Sequence, residues 1–139
     1  MLGAGDCLLI DTNVDKGGYS QSHLFVIILD CEEHTKNTVI VYAQTLRSPR
    51  ADRTTVLHPG EHKFIKRDSH IEYRQAQIVS AMDLERMIQE GQARPMDKME
   101  NDVFKRICDG ILKSPFTPME VREMYNNYLY RNLNHRDSS

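Results

Sequence analysis

Basic side chains are concentrated in residues 45–74, although the chain as a whole carries a formal net charge of −2. The basic residues of this segment are Arg47, Arg50, Arg53, Lys63, Lys66, Arg67 and Arg74. The same segment contains four acidic residues, Asp52, Glu61, Asp68 and Glu72, which leaves a local excess of about +3. Such a patch can bind phosphate groups even where the whole protein has no attractive field for polyanions. The sequence therefore predicts that any site for nucleic acid is confined to a patch formed by this segment.

Residues 62–74 combine some of these cations with aromatic and imidazole side chains. Phe64 and Tyr73 lie beside basic residues, and a cation next to an aromatic ring is a common way of holding single-stranded nucleic acid. His70 and Arg74 are four residues apart, so they share a face if the segment is one strand. The alternative is a charged hairpin whose aromatic side chains lie in the core, and we favour it for Phe64.

Other kinds of site have weaker support in the sequence. His58, His62 and His70, with Glu61, are metal-ligating residue types, but a Pro-Gly pair forces a turn between the first two histidines. No cysteine lies nearby to complete a tetrahedral set. The motifs of phosphate-cradling glycine loops and of serine or cysteine hydrolases are also absent. We therefore expect neither a metal nor a cofactor.

Length and composition predict one domain. A chain of 139 residues buries roughly two thirds of its unfolded surface without needing disulfides. Cys7, Cys31 and Cys108 are odd in number and widely spaced, which is typical of reduced thiols in a cytosolic protein, and we expect Cys7 and Cys108 to be buried. No apolar run approaches the ~18 residues needed to span a bilayer, and no signal-peptide pattern is present. We expect a cytoplasmic protein without membrane contact.

Short strand patterns separated by Gly, Pro, Asp and Asn occupy the chain up to residue 79. They cover residues 6–11, 23–30, 38–46, 54–57 and 70–79. The run from Leu24 to Leu29 is unbroken and apolar, as expected of a strand buried on both faces. No helix-length segment separates the strands, which favours a barrel or sandwich over a parallel sheet.

From residue 80 the hydrophobic period becomes helical. Ser80 is an acceptable N-cap for a first helix that Gly91 ends. A second helix is predicted over 97–113, where Gly110 costs ~1 kcal/mol relative to Ala and indicates close packing or fraying. Residues 117–120, Thr-Pro-Met-Glu, form a capping box that predicts a third helix. The predicted fold class is α+β, with a β-barrel over 1–79, a helical extension over 80–133 and a disordered tail over 134–139.

Residues 5–30 place two strand-like runs on either side of a polar loop, with a pattern carried by Gly5, Asp6, Asp11, Lys16, Gly17, Gln21 and His23. This pattern resembles the opening of the PemK/MazF-like toxin family. A PemK-like variant is similar over a second stretch, at Gly60, Glu61, His62, Phe64, Ile65, Ser69, Tyr73, Arg74, Ala76 and Ile78. The resemblance implies an SH3-like small β-barrel with appended helices. It also implies the toxin of a type II toxin–antitoxin pair, an endoribonuclease that cuts single-stranded RNA without a metal.

The resemblance also implies roles for individual residues. His23 would be the acid–base group, Thr45 would hydrogen-bond the phosphate, and Arg47 would replace the family's loop Arg, because this chain has Leu24 where the family places that Arg. The predicted RNA-binding residues are Lys16, Arg50, Lys66, Arg67, His70, Tyr73 and Arg74. The expected partners are single-stranded RNA, an antitoxin protein and a second copy of the chain in a homodimer.

Alternatives stay open at this point. His23 could be a partly buried histidine at the start of a strand, and Arg47 a solvated turn residue. Leu24 favours a non-catalytic member of the same fold that acts as a protein- or RNA-binding regulator. The helical half could also be a protein-interaction surface in a toxin–antitoxin or phage-defence complex.

Overall fold

A computed structural model describes residues 2–14, 20–31 and 37–137 and has an α+β architecture. The described strands are β1 (Cys7–Val14), β2 (Ser20–Ile27), β3 (Asn37–Thr45), β4 (Val56–Leu57), β5 (Ser69–Ile71), β6 (Gln77–Ser80) and β7 (Ala93–Met96). The helices are α1 (Ala81–Gln89), α2 (Asn101–Lys113) and α3 (Met119–Asp137), and one 3-10 turn covers Tyr73–Gln75. The predicted α+β class is confirmed.

The strands form one antiparallel sheet in the order β4-β5-β3-β2-β1-β7, with β6 also paired to β3. The long strand β3 pairs with β2 on one side, and on the other side with β6 and then β5. Strands β4 and β7 are the two ends of this path, so the pairing among the described strands is open rather than closed into a barrel.

Strand β2 is buried on both faces, as its unbroken apolar run predicts. Leu24 and Val26 belong to a core cluster that includes side chains of α2 and α3. Phe25 and Ile27 belong to a second cluster that includes Leu84 of α1. The sheet therefore separates two cores, and alternate side chains of one strand contribute to each.

Two predicted strand features differ from the structure. The single strand predicted over 70–79 is divided into β5, the 3-10 turn and β6, so its side chains do not alternate along one line. Strand β7 is not predicted, because Pro95 lowers its strand signal; Pro is tolerated here since β7 is an edge strand. Through its pairing with β1, β7 joins the predicted helical extension to the strands of the N-terminal half.

The predicted helix ends are partly confirmed. The Ser80 hydroxyl accepts a hydrogen bond from the Asp83 amide at 3.4 Å, and Gly91 has a φ of 78° just beyond α1. Helix α2 begins at 101 rather than 97. Helix α3 starts where the capping box predicts, but the buried Thr117 hydroxyl has no hydrogen-bond partner among the residues that the structure describes, so the predicted cap bond is not found there. The backbone of 134–137 continues α3 into the region predicted to be a disordered tail.

Gly110 is a point of close contact between α2 and the rest of the fold. A Cβ placed there would lie 1.9 Å from the Tyr73 hydroxyl oxygen and 2.5 Å from the Thr55 hydroxyl oxygen. The Tyr73 hydroxyl donates to the carbonyl of Ile107 at 2.7 Å and also lies 2.7 Å from the Thr55 hydroxyl. Of the two explanations for this glycine, fraying and close packing, the second is confirmed.

Candidate functional site

A cleft of about 940 Å³ opens beside β2, the end of β3 and β5. Its lining side chains come from β2, the end of β3 and the loop after it, residues 64–74, and the connection between α2 and α3. Both halves of the chain therefore contribute to the cleft. Chain segments far apart in sequence meet here because β2 and β5 both pair with β3.

The cleft is positively charged. Its lining includes five cations, Arg47, Arg50, Lys66, Arg67 and Arg74, against two carboxylates, Asp52 and Glu72. In the described part of the chain, none of these five cations lies within 4 Å of a carboxylate. By contrast, Arg106 is paired with Glu61 at 2.5 Å outside the cleft. The lining cations are therefore available to an anionic ligand.

His23 lies on β2, opposite Ile10 of β1, and lines the cleft. Its ring centroid is 4.7 Å from that of Tyr42, and the side chain is partly buried. Burial lowers the pKa of His23, because it disfavours the charged imidazolium. At neutral pH the ring is therefore mainly uncharged and can accept a proton.

Thr45 and Arg47 lie at the end of β3 and in the loop after it, and both line the same cleft as His23. Thr45 is paired with Ser69 in the sheet, which fixes its backbone. The loop is a hydrogen-bonded turn, since the Ser48 carbonyl accepts from the Ala51 amide at 3.1 Å and the Ser48 hydroxyl accepts from the Arg50 amide at 3.1 Å. The exposed Arg47 side chain is therefore attached directly before a hydrogen-bonded turn of the backbone.

His70 lies on β5 and is 3 % exposed, yet it also lines the cleft. Its Nδ1 atom is buried and has no hydrogen-bond partner among the described residues. A buried polar atom without a partner is costly, and a ligand or ordered water in the cleft would reduce that cost.

Asp52 is a buried carboxylate of the cleft that sequence reasoning did not identify. It accepts hydrogen bonds from the Ser114 hydroxyl at 2.6 Å, and from the amide and hydroxyl of Thr54 at 2.9 and 2.5 Å. Burial alone would raise the pKa of Asp52, but these hydrogen bonds, helped by the nearby His70, outweigh it and hold the pKa below its ordinary value. The carboxylate is therefore charged at neutral pH and connects the cleft to the end of α2.

The other predicted RNA-binding residues divide into three groups. Arg50, Lys66, Arg67, His70 and Arg74 line the cleft. Tyr73 is 0 % exposed and its hydroxyl is engaged in the core, so the prediction that it contacts RNA is wrong. The 3-10 turn puts this side chain on the inside while Arg74 is exposed. Lys16 lies outside the described residues.

Phe64 and Leu24 bear on the alternatives left open by the sequence. Phe64 is partly buried and packs against the core, as the preferred interpretation predicts, and it also borders the cleft. Leu24, at the position where the family has Arg, is 0 % exposed. An arginine at this backbone position would meet the core, so any cation of the site must come from elsewhere.

The three histidines considered for metal binding have separate surroundings. The Nδ1 atom of His58 is 3.0 Å from an oxygen of Asp68, whereas the Nε2 atom of His62 is 2.6 Å from the carbonyl oxygen of Asp97. His70 lines the cleft. Among the described residues, no group of three His, Cys, Asp or Glu side chains is arranged to hold a metal ion.

The cysteines do not contribute to the cleft, and the described thiols are free. Cys7 is 1 % exposed, and burial raises its pKa to about 12, so the thiol is protonated at neutral pH and is a poor nucleophile. The predicted burial of Cys7 is confirmed, whereas Cys108 is partly buried.

Phe116 is the lining residue with the weakest signal in the sequence. It lies in the short connection between α2 and α3, far from the other lining residues in the chain. Its sequence signal is that a large apolar residue stands directly before a capping box and outside the apolar stripes of the helices. This position predicts an exposed ring, but it does not predict that the ring lines the cleft.

Comparison of the sequence with protein-family models found no match, and a search of the curated proteins found none either. In the described part of the chain, no helix is both long and apolar enough to cross a membrane.

Proposed function

We propose that this chain is a metal-independent endoribonuclease of the PemK/MazF toxin type, which cuts single-stranded RNA and leaves a 2′,3′-cyclic phosphate. The observation that supports the proposal is the shared cleft: His23, Thr45 and Arg47 all line it, together with four further cations. The proposal includes the SH3-like small barrel, a cytoplasmic location, a homodimer and an antitoxin whose extended segment occupies the cleft. The β1-β2-β3 meander would be the continuous part of that barrel.

The reaction needs a base, an acid and a cation around one phosphate. Neutral His23 takes the proton from the 2′-hydroxyl, and the 2′-oxygen attacks phosphorus. The bond from phosphorus to the 5′-oxygen then breaks, and His70, which lines the same cleft, donates a proton to that oxygen. Arg47 and the Thr45 hydroxyl stabilise the negative charge that develops on the phosphate oxygens.

The direct test is incubation of the purified protein with a long unstructured RNA in the presence of EDTA. We expect cleavage to continue under chelation, because every group in the mechanism is a side chain. The products should end in 2′,3′-cyclic phosphate and 5′-hydroxyl groups, as measured by mass spectrometry of the fragments. If folded protein leaves all such RNAs intact, the nuclease proposal is wrong.

Arg47→Ala is expected to lower kcat for RNA cleavage by about 10²-fold, the usual cost of losing one donor that stabilises transition-state charge. The matched control is Arg53→Ala, since Arg53 is an exposed cation close by in the chain that does not line the cleft. Single-turnover cleavage measures both variants. An equal loss in both would mean that general charge, rather than the position of Arg47, explains the effect.

One observation favours a second candidate, an RNA-binding regulator without catalysis. The buried Leu24 shows that the loop cation of the family has no counterpart at its usual position. If catalysis depends on that cation, the charged cleft would still bind single-stranded RNA without cutting it. Tight, salt-dependent RNA binding in the absence of cleavage would identify this candidate.

A further inference from the structure

Arg74 and Phe116 form a stacked pair in the wall of the cleft. The guanidinium carbon of Arg74 lies 4.3 Å from the centroid of the Phe116 ring, and both side chains line the cleft. Phe116 is 41 % exposed and belongs to neither of the two core clusters. Packing in the core therefore does not explain why a large aromatic side chain is at this position.

The connection that carries Phe116 is fixed by hydrogen bonds on both sides. The hydroxyl of Ser114, a fully buried residue, donates to Asp52 at 2.6 Å and accepts from the Phe116 amide at 3.1 Å. The Arg122 guanidinium donates to the carbonyls of Leu112, Ser114 and Thr117. The exposed ring is thus held at a defined place, which lowers the entropy cost of binding a ligand against it.

We propose that Phe116 and Arg74 form a nucleobase-binding subsite of the cleft, an inference that rests on the proposed binding of single-stranded RNA. An aromatic ring and a guanidinium plane are the two protein surfaces on which unpaired bases most commonly stack. Arg50 and Arg67 line the same cleft and supply cations for the phosphates of the bound strand. The subsite takes the stacking role that the sequence assigned to the buried Tyr73.

The test uses a fluorescein-labelled, single-stranded RNA made uncleavable by 2′-O-methyl groups, with affinity measured by fluorescence anisotropy. Phe116→Ala is expected to weaken binding about tenfold, the usual effect of removing one stacked base contact. Phe116→Trp should keep or improve the affinity of the native protein. Met119→Ala is the control, because Met119 is an exposed apolar residue nearby, 68 % accessible, that does not line the cleft.

A second measurement separates stacking from a general effect on the cleft. A series of RNAs carries one abasic residue, each at a different position. At one of these positions the affinity of the native protein should fall about tenfold, as it does in Phe116→Ala. At that position Phe116→Ala should cause no further loss, because the ring and the base it contacts are then both absent. Additive losses at every position would overturn the subsite.

The outcomes also separate this proposal from the one on which it rests. If the native protein binds RNA and Phe116→Ala binds it equally well, the subsite is wrong and the proposed function stands. If the native protein binds no single-stranded RNA, both are wrong.

Discussion

Replacing His23 with alanine is expected to reduce kcat for RNA cleavage by about 10²- to 10⁴-fold, the usual contribution of one general acid–base group. The affinity for single-stranded RNA should change much less, because the cations of the cleft provide the binding energy. Single-turnover cleavage and anisotropy on the same RNA measure the two effects separately. Equal losses in rate and in affinity would mean that His23 only helps to shape the cleft.

The pH dependence gives an independent check on His23. If its neutral ring is the base, the acidic limb of the kcat/KM profile rises with pH through the pKa of the imidazole. Burial lowers that pKa, so the rise should occur below the pH at which an exposed histidine titrates. His23→Gln, which cannot take a proton, should abolish this rise. A rise that persists in His23→Gln would assign the titration to another group.

Gly110→Ala is expected to destabilise the protein by about 2 to 3 kcal/mol, although the same change in an exposed helix usually stabilises by 0.5–1 kcal/mol. The reversed sign follows from the added methyl group, which would lie 1.9 Å from the Tyr73 hydroxyl oxygen. For a domain of this size, the loss corresponds to a fall in Tm of about 10 °C. Thermal and urea unfolding followed by circular dichroism measure it.

The control for this prediction is the same change in a Tyr73→Leu background. Leucine removes the hydroxyl and the far end of the ring, which are two of the three close contacts of the new methyl group, so the two changes should be strongly non-additive. The Thr55 hydroxyl oxygen, 2.5 Å away, remains, so Gly110→Ala should cost clearly less stability than in the native background without becoming neutral. An increase in stability in the native background would show that α2 does not pack as closely at this position as described.

The sequence predicted those parts of the fold that depend on local patterns. The apolar run of β2 and the Ser80 and Gly91 signals around α1 act over a few residues, so each could be recognised without knowing its neighbours. Tyr73 was misjudged because neither face of its predicted strand was cleanly apolar. The 3-10 turn that buries its side chain depends on contacts with α2, which is distant in sequence.

The candidate site could be predicted only in part, for the same reason. His23 lies within β2, and Thr45 and Arg47 lie at and just after the end of β3, so the pairing of these two strands brings them to one cleft. Asp52 and Phe116 both line the cleft, and both are hydrogen-bonded to the Ser114 hydroxyl. Asp52 and Ser114 are 62 positions apart in the chain. No local pattern encodes such a contact, because it arises from how α2 and α3 are placed against the sheet.

The pairing of β1 with β7 has a consequence for how the protein is made. Leu8 of β1 lies beside Pro95, so one side of the first strand stays without a neighbour until nearly ninety more residues have been synthesised. A nascent chain arrested before residue 96 would expose that backbone edge together with its apolar side chains, and chaperones bind such surfaces. Ribosome-bound intermediates of this length should therefore be sensitive to proteases and should become resistant only once the seventh strand has emerged.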